Sequence, residues 1–408
     1  MNSNHIQAAD MLAFSRLGLT GFNGIVDLVE SMHATIARRA SPFTTIRDDR
    51  NTTGVTRLVY HCIRALPKAL SQGIDAALPA IANFSDQSAS SAERDAVVSI
   101  VNGVLGDHLE RSGNPLAIPM QFRNRGKALS LDKTAIQEAL PEANGKVLLL
   151  IHGLCMNDLQ WHRKGHNHGT ELGRDFGFTE LHLHYNTGRH ISTNGAQLAD
   201  TIETLFEQWP VAITELHIVA HSMGGLVSRS ALHYGKEAGH HWPASLRKLV
   251  FLGTPHHGSP LERSGNLVDA ALGLSPYTAP FTALSKIRSA GITDLRYGNL
   301  LHQDWSDPTG RQEKDRFARS GDSRQPLPLP PGIEYYTLAA SKSATANNLA
   351  NVLVGDGLVP VTSALGEHKN PELRLGIADD HKAVVYQTGH FDLLGAAVYD
   401  QVHRWLSA

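Results

Sequence analysis

Ser222, Asp356 and His390 have the residue types, and stand in the chain order, that nucleophilic acyl chemistry requires. A serine hydroxyl is a poor nucleophile until an imidazole takes its proton, and a buried carboxylate must hold that imidazole's tautomer and orientation. The surroundings of Ser222 fit the first role. Leu216, Ile218 and Val219 predict a short buried strand and Leu226 onward predicts a helix, so Ser222 falls at a sharp strand-to-helix turn. Such an elbow lifts the serine above a sheet on strained backbone and needs small neighbours where strand and helix cross. Gly224 and Gly225 supply that room. In Ala220-His221-Ser222-Met223-Gly224, alanine stands where the usual Gly-x-Ser-x-Gly pattern has its first glycine.

The elements that must position these residues follow from apolar periodicity. Lys146 to Ile151 is a continuous apolar run that predicts a buried parallel strand, and His152-Gly153-Leu154 turns off its carboxyl end. Backbone N–H groups at such an end face the ligand crevice of an open sheet. An acyl-transfer site needs donors for the developing oxyanion, one of which is worth about 3 kcal/mol of transition-state stabilisation. The N–H groups of Leu154 and Met223 are the candidates. Further strands are predicted over residues 180–185, 215–220, 248–252, 332–339 and 383–386, with helices over 195–209 and 393–406. Strand alternating with helix predicts an α/β architecture, a doubly wound, mostly parallel sheet. Asp356, between Gly355 and Gly357, and His390 each follow a late strand, which gives the order nucleophile, acid, base. Asp379, Asp380 and Asp392 are rival carboxylates, and Asp356 could merely form a tight turn with its glycines.

The chain divides into an N-terminal helical region, 1–142, and a catalytic domain, 143–408. Apolar residues recur every three or four positions from Phe22 to Ile36, from Leu58 to Leu66, and through Val97, Val101, Val104 and Leu105 after a capping-box pattern at Ser90. These helices are expected to pack on the catalytic domain or on each other. A polar segment, 121–144, leads into the sheet. The connection of about 259–331 interrupts the strand-helix alternation with its own helical patterning and is expected to form a helical cap, with Leu272 and Phe281 lining the substrate pocket and Pro326 to Pro331 a stiff return.

Composition narrows the remaining classes. The 408 residues are 41% hydrophobic, enough for a real core, and the formal charge of -2 gives no electrostatic argument for nucleic acid or an anionic membrane surface. Cys62 and Cys155 imply no disulfide framework. There is no basic leader before an apolar run and no apolar stretch of membrane-spanning length, so a soluble, cytoplasmic protein is expected. His162, His166 and His168 lie on a polar segment with no carboxylate to complete a tetrahedral set, which predicts a solvated loop and no metal. Cys155 is expected to be a packing residue, and His256 and His257 to be structural. No cofactor is implied.

From about Gly145 to the C-terminus the chain resembles α/β-hydrolase lipases and esterases, especially bacterial triacylglycerol lipases and proteins similar to GPI inositol-deacylase. His152-Gly153 looks like their oxyanion loop, Ala220 to Gly225 like their elbow, and Gly253 to Ser259 like their signature after the sixth strand. Asp356-Gly357-Leu358-Val359-Pro360 looks like their acid loop, and His390 like their histidine. The resemblance implies an α/β-hydrolase fold and a serine hydrolase acting on a small-molecule or lipid ester. It does not reach residues before about 140 and does not name the substrate. Contact with a membrane or polymer surface is not indicated. The alternatives are an acyltransferase using the same triad and a non-catalytic binding or scaffold protein with a hydrolase-like domain.

Overall fold

The buried parallel run expected at Lys146–Ile151 lies at the centre of an eight-stranded sheet in a computed structural model that describes residues 92–259, 262, 288–306, 321–345 and 355–407. The strands are β1 (Gln121–Asn124), β2 (Lys127–Ala128), β3 (Lys146–Ile151), β4 (His162–Arg163), β5 (His166–Asn167), β6 (Thr179–His184), β7 (Glu215–His221), β8 (Leu246–Leu252), β9 (Glu334–Ser341) and β10 (Lys382–Tyr386). The large sheet runs β10-β9-β8-β7-β3-β6-β1-β2, and β4 pairs with β5 in a separate small hairpin. Strands β3 and β6 to β10 are mutually parallel, while β1 lies antiparallel to β6 and β2 antiparallel to β1. From β3 the chain steps to β6 on one side, then crosses back to β7 on the other. The switch point therefore falls at the carboxyl end of β3, where open α/β sheets form their ligand crevice.

Strand β3 is buried on both faces, as a central parallel strand must be. Val147, Leu149 and Ile151 face one apolar layer, shared with the helices Ile191–Gln208 and Met223–Glu237. Leu148 and Leu150 face the other, shared with helix His168–Phe176 and the closing helix Tyr399–Ser407. Helices on both faces of a mostly parallel sheet make this an α/β-hydrolase fold.

Two segments differ from expectation. The polar stretch after residue 120 contributes a β-hairpin to the sheet edge: Gln121, Phe122 and Arg123 pair with His184, Leu183 and His182. Its polar side chains are occupied, since Arg123 donates to Asp95 at 3.0 Å and to Asp158 at 3.1 Å, and Asn124 donates to the Glu180 carbonyl at 2.9 Å. Helix α1 (Ala92–Arg111) is not a one-sided amphipathic element. Val98 and Ile100 are buried beside Val97, Val101, Val104, Leu105 and Leu109, the pattern of a helix enclosed on more than one side.

Small residues let α1 approach the loops beyond β3 and β6. The Gly103 carbonyl accepts from Ser289 Oγ at 2.6 Å, and the Gly106 carbonyl accepts from Asn186 Nδ2 at 2.9 Å. A side chain at Gly103 would meet Cys155 Sγ at 2.2 Å. The proline run leads into β9, with Tyr335 Oη donating to the Pro330 carbonyl at 2.9 Å and Arg229 to the Leu327 carbonyl at 2.7 Å. The helices expected over Phe22 to Ile36 and Leu58 to Leu66, the cap Ser90, Cys62, Leu272 and Phe281 lie outside the described residues. Among the described residues no helix is long and apolar enough to cross a membrane.

Candidate active site

Ser222 sits between β7 and the helix Met223–Glu237 with φ 55° and ψ -125°, a backbone conformation that costs energy for any residue with a Cβ. Its amide donates to the Leu252 carbonyl at 2.9 Å, which ties the turn to the neighbouring strand β8. Gly224 is required by close approach: a Cβ there would lie 2.4 Å from the Ile151 carbonyl oxygen and 2.7 Å from that of His152. The loop beyond β3 passes equally close to the serine, since a Cβ on Gly153 would lie 2.8 Å from the Cβ of Ser222.

Asp356 and His390 are brought into direct contact. His390 Nδ1 lies 2.7 Å from Asp356 Oδ2, and both side chains are buried. The other carboxylate oxygen, Oδ1, accepts from the amides of Leu358 at 2.9 Å and Val359 at 2.8 Å. With Asp356 accepting throughout, the proton of the shared bond belongs to Nδ1, and Nε2 of a neutral imidazole is left with its lone pair. Gly355 and Gly357 have φ of 53° and 103°, so the flanking glycines allow the loop to fold its carboxylate back onto its own amides. The histidine ring lies against the elbow's supporting strand: a Cβ on Gly253, the residue after Leu252, would be 3.2 Å from both Cε1 and Nδ1 of His390.

Of the rival carboxylates, Asp379 is fully exposed and pairs with Lys382, and Asp392 pairs with Arg163 and Lys164. Neither bonds to the His390 imidazole. Leu154 is half-buried and Met223 is buried, and among the described residues neither amide has a hydrogen-bonded acceptor. The adjoining groups hold that loop in place. His152 Nδ1 lies 3.0 Å from the Gly153 carbonyl, Tyr185 Oη donates to the His152 carbonyl at 2.8 Å, and the Cys155 amide donates to Thr187 Oγ1 at 3.1 Å. Burial pushes His152 down to about 3, so it is neutral and Nδ1 is the donor. Burial pushes the Cys155 thiol up to about 12, which leaves a packing group and no thiolate.

His221 has a contact that its position in the sequence did not reveal. Its Nε2 lies 3.2 Å from the His390 carbonyl, and the two rings are 4.7 Å apart. Burial holds His221 well below the ordinary histidine range, so Nε2 carries the proton and donates. The only sequence signal was adjacency to Ser222.

The histidine segment is the clearest correction. It is solvated only in part: His162–Arg163 and His166–Asn167 form the β4-β5 hairpin, in which His162, Lys164 and Gly165 are exposed, while His166 and His168 are buried. His256 and His257 are buried beside Arg229 and Arg324 respectively. Among the described residues no group of three or more His, Cys, Asp or Glu side chains is arranged to hold a metal ion.

A doubly wound sheet with a serine at the strand-to-helix turn beside its switch point defines the class of the molecule, a protein of α/β-hydrolase fold. Residues 142–318, which include Ser222 but neither Asp356 nor His390, match the family described as PGAP1-like alpha/beta domain. Among solved structures, the mature form of a lipase from Bacillus licheniformis is similar at 20% identity and a TM-score of 0.40, over 64% of this chain and 91% of that one. The Staphylococcus hyicus lipase is similar at 16% identity and a TM-score of 0.36, over 64% and 95%. A carboxylesterase from Bacillus subtilis is similar at 14% identity and a TM-score of 0.35, over 64% and 82%. No curated protein matches the chain.

Proposed function

We propose that the protein is a serine hydrolase that cleaves carboxylic esters through an acyl-enzyme. The observation that carries this reading is the buried 2.7 Å bond between His390 and Asp356, set against the strand that supports the strained Ser222 elbow. Ser222 Oγ attacks the ester carbonyl as His390 Nε2 takes its proton. The carbonyl oxygen becomes an oxyanion facing the amides of Leu154 and Met223, and Asp356 stabilises the imidazolium without itself being protonated. Collapse of the tetrahedral intermediate breaks the ester C–O bond, and His390 returns the proton to the leaving alcohol. A water molecule, deprotonated in turn by His390, then releases the acid and regenerates Ser222. Every step is acid-base or nucleophilic and uses groups of this chain.

Reaction with a fluorophosphonate, followed by rates on p-nitrophenyl esters of increasing acyl length, tests the proposal. The wild-type protein should be labelled covalently and should hydrolyse at least the short esters, while Ser222→Ala should keep its melting temperature and lose both. A wild-type protein that neither labels nor hydrolyses would instead be a scaffold on this fold.

A further inference from the structure

Residues 162–168 have no part in the chemistry above, yet they reach the histidine loop in two places. At the tip of the β4-β5 hairpin, Arg163 Nη2 donates to Asp392 Oδ1 at 3.1 Å, and Lys164 Nζ lies 3.5 Å from the same oxygen. Asp392 stands two residues after His390, and its other oxygen, Oδ2, accepts from the amide of Gly389, the residue before His390, at 3.3 Å. The carboxylate thus spans the turn that carries the imidazole, and the hairpin cations hold the carboxylate. At the base of the hairpin, His168 Nε2 lies 3.0 Å from the Leu393 carbonyl, and His168 Nδ1 lies 3.0 Å from His166 Nε2.

The direction of these bonds is fixed by elementary chemistry. A carbonyl only accepts, so the proton of the Leu393 bond is on His168 Nε2. Burial pushes His168 down to about 4, so its ring is neutral and Nδ1 is an acceptor. His166 Nε2 must then donate to it. One arm of the contact is ionic and half-exposed, the other is a neutral imidazole relay in the interior, and both end on residues 389–393.

We infer that the His162–His168 segment is a clamp that positions the His390 loop, with Asp392 and Arg163 as positioning residues for the proton-transfer step. The inference rests on the proposed role of His390 as general base. Misplacing a catalytic group by an ångström can cost about a hundredfold in rate without weakening substrate binding. Half-exposed ion pairs contribute little to global stability. Loss of the clamp should therefore be seen in kcat and not in the melting temperature.

The test uses the full chain and the variants Arg163→Gln, Arg163→Lys and Asp392→Asn. On a p-nitrophenyl ester, Arg163→Gln and Asp392→Asn should each lower kcat about tenfold with KM and melting temperature unchanged. The double variant should be no slower than the slower single one, because both remove the same contact. Arg163→Lys, which keeps a cation at the site, should recover most of the rate. Independently of turnover, proton NMR reads the downfield Nδ1 proton of His390, assigned by its loss in His390→Gln. Arg163→Gln and Asp392→Asn should shift or broaden it. Unchanged kcat with an unchanged Nδ1 resonance would overturn the clamp, as would additive losses in the double variant. If the wild-type protein neither labels nor hydrolyses, the ester-hydrolase reading fails on its own, and the resonance alone decides whether the hairpin orders the histidine.

Discussion

Asp356 and Asp392 both lie near His390, but they do different work. The carboxylate of Asp356 meets the imidazole itself and is otherwise filled by two amides of its own loop, while that of Asp392 meets the turn that carries the imidazole. Replacing Asp356 by Asn keeps the volume but presents an N–H donor to Nδ1, which favours the wrong tautomer. Such a change costs about ten-thousandfold in kcat where it has been measured in a related constellation. We therefore expect Asp356→Asn to lose kcat by about that factor on short p-nitrophenyl esters, far more than the effect of Asp392→Asn. Comparable kcat in wild type and Asp356→Asn would remove Asp356 from the acid role. In the sequence Asp356 stood out by its place after a late strand and its lipase-like motif, while its flanking glycines marked a tight turn; the positive φ of both is what folds the carboxylate onto its own amides. The bond from His221 to the His390 carbonyl could not be read. It joins residues far apart in sequence, and nothing in either residue's local pattern announces it.

At the scale of elements, apolar runs were reliable in the central strands β3, β7 and β8, because residues 147–151, 218–220 and 249–252 are continuously apolar and buried. β1 has no such run. Only Phe122 is fully buried there, and the strand is held by backbone pairing to β6 and by polar side chains with distant partners. The hairpin at residues 162–167 was missed for a related reason: His166 is polar by type but is buried through its hydrogen bond with His168, the first residue of the following helix. Helix α1 is the element with the sharpest consequence. Gly103 faces Cys155 so closely that an added Cβ would lie 2.2 Å from Sγ and 3.0 Å from Cα. Overpacking of this kind costs about 1–3 kcal/mol. Gly103→Ala should lower stability to urea by that amount, and Cys155→Gly should restore part of it in the double variant, because it frees the space and suits the positive φ at that position. Equal urea midpoints for Gly103→Ala and wild type would mean that α1 does not press on the loop beyond β3.

Across the whole molecule, the near-neutral charge of -2 gives no long-range field to steer a ligand, so acid and base behaviour depends on local burial. The 23 histidines matter most here. Among the described residues burial pushes His152 and His257 down to about 3 and His168 and His182 to about 4, and holds His221 and His256 well below the ordinary value of 6.5. For each of these six groups the unfolded chain binds a proton near pH 6.5 that the folded chain refuses until a much lower pH. Stability therefore rises with pH across that window and is lost as pH falls from about 6.5 towards 4, at up to about 1.4 kcal/mol per pH unit for each imidazole. Two carboxyls oppose the trend. Burial pushes Glu262 up to about 7 and raises Glu180, so both stay protonated in the fold where the unfolded chain has ionised them. With His217 also pushed down to about 4 by burial, the imidazoles outnumber the two carboxyls and dominate, and the urea midpoint should drop steeply between pH 7.5 and 5.5. His182 is a useful reporter, since it is buried on β6, separated from β7 by β3, and among the described residues its Nδ1 has no hydrogen-bond partner. His182→Gln should reduce the pH slope of the unfolding free energy by about one proton while leaving esterase kcat near the wild-type value. A midpoint that stays flat from pH 7.5 to 5.5 would mean that these imidazoles accept protons inside the folded protein.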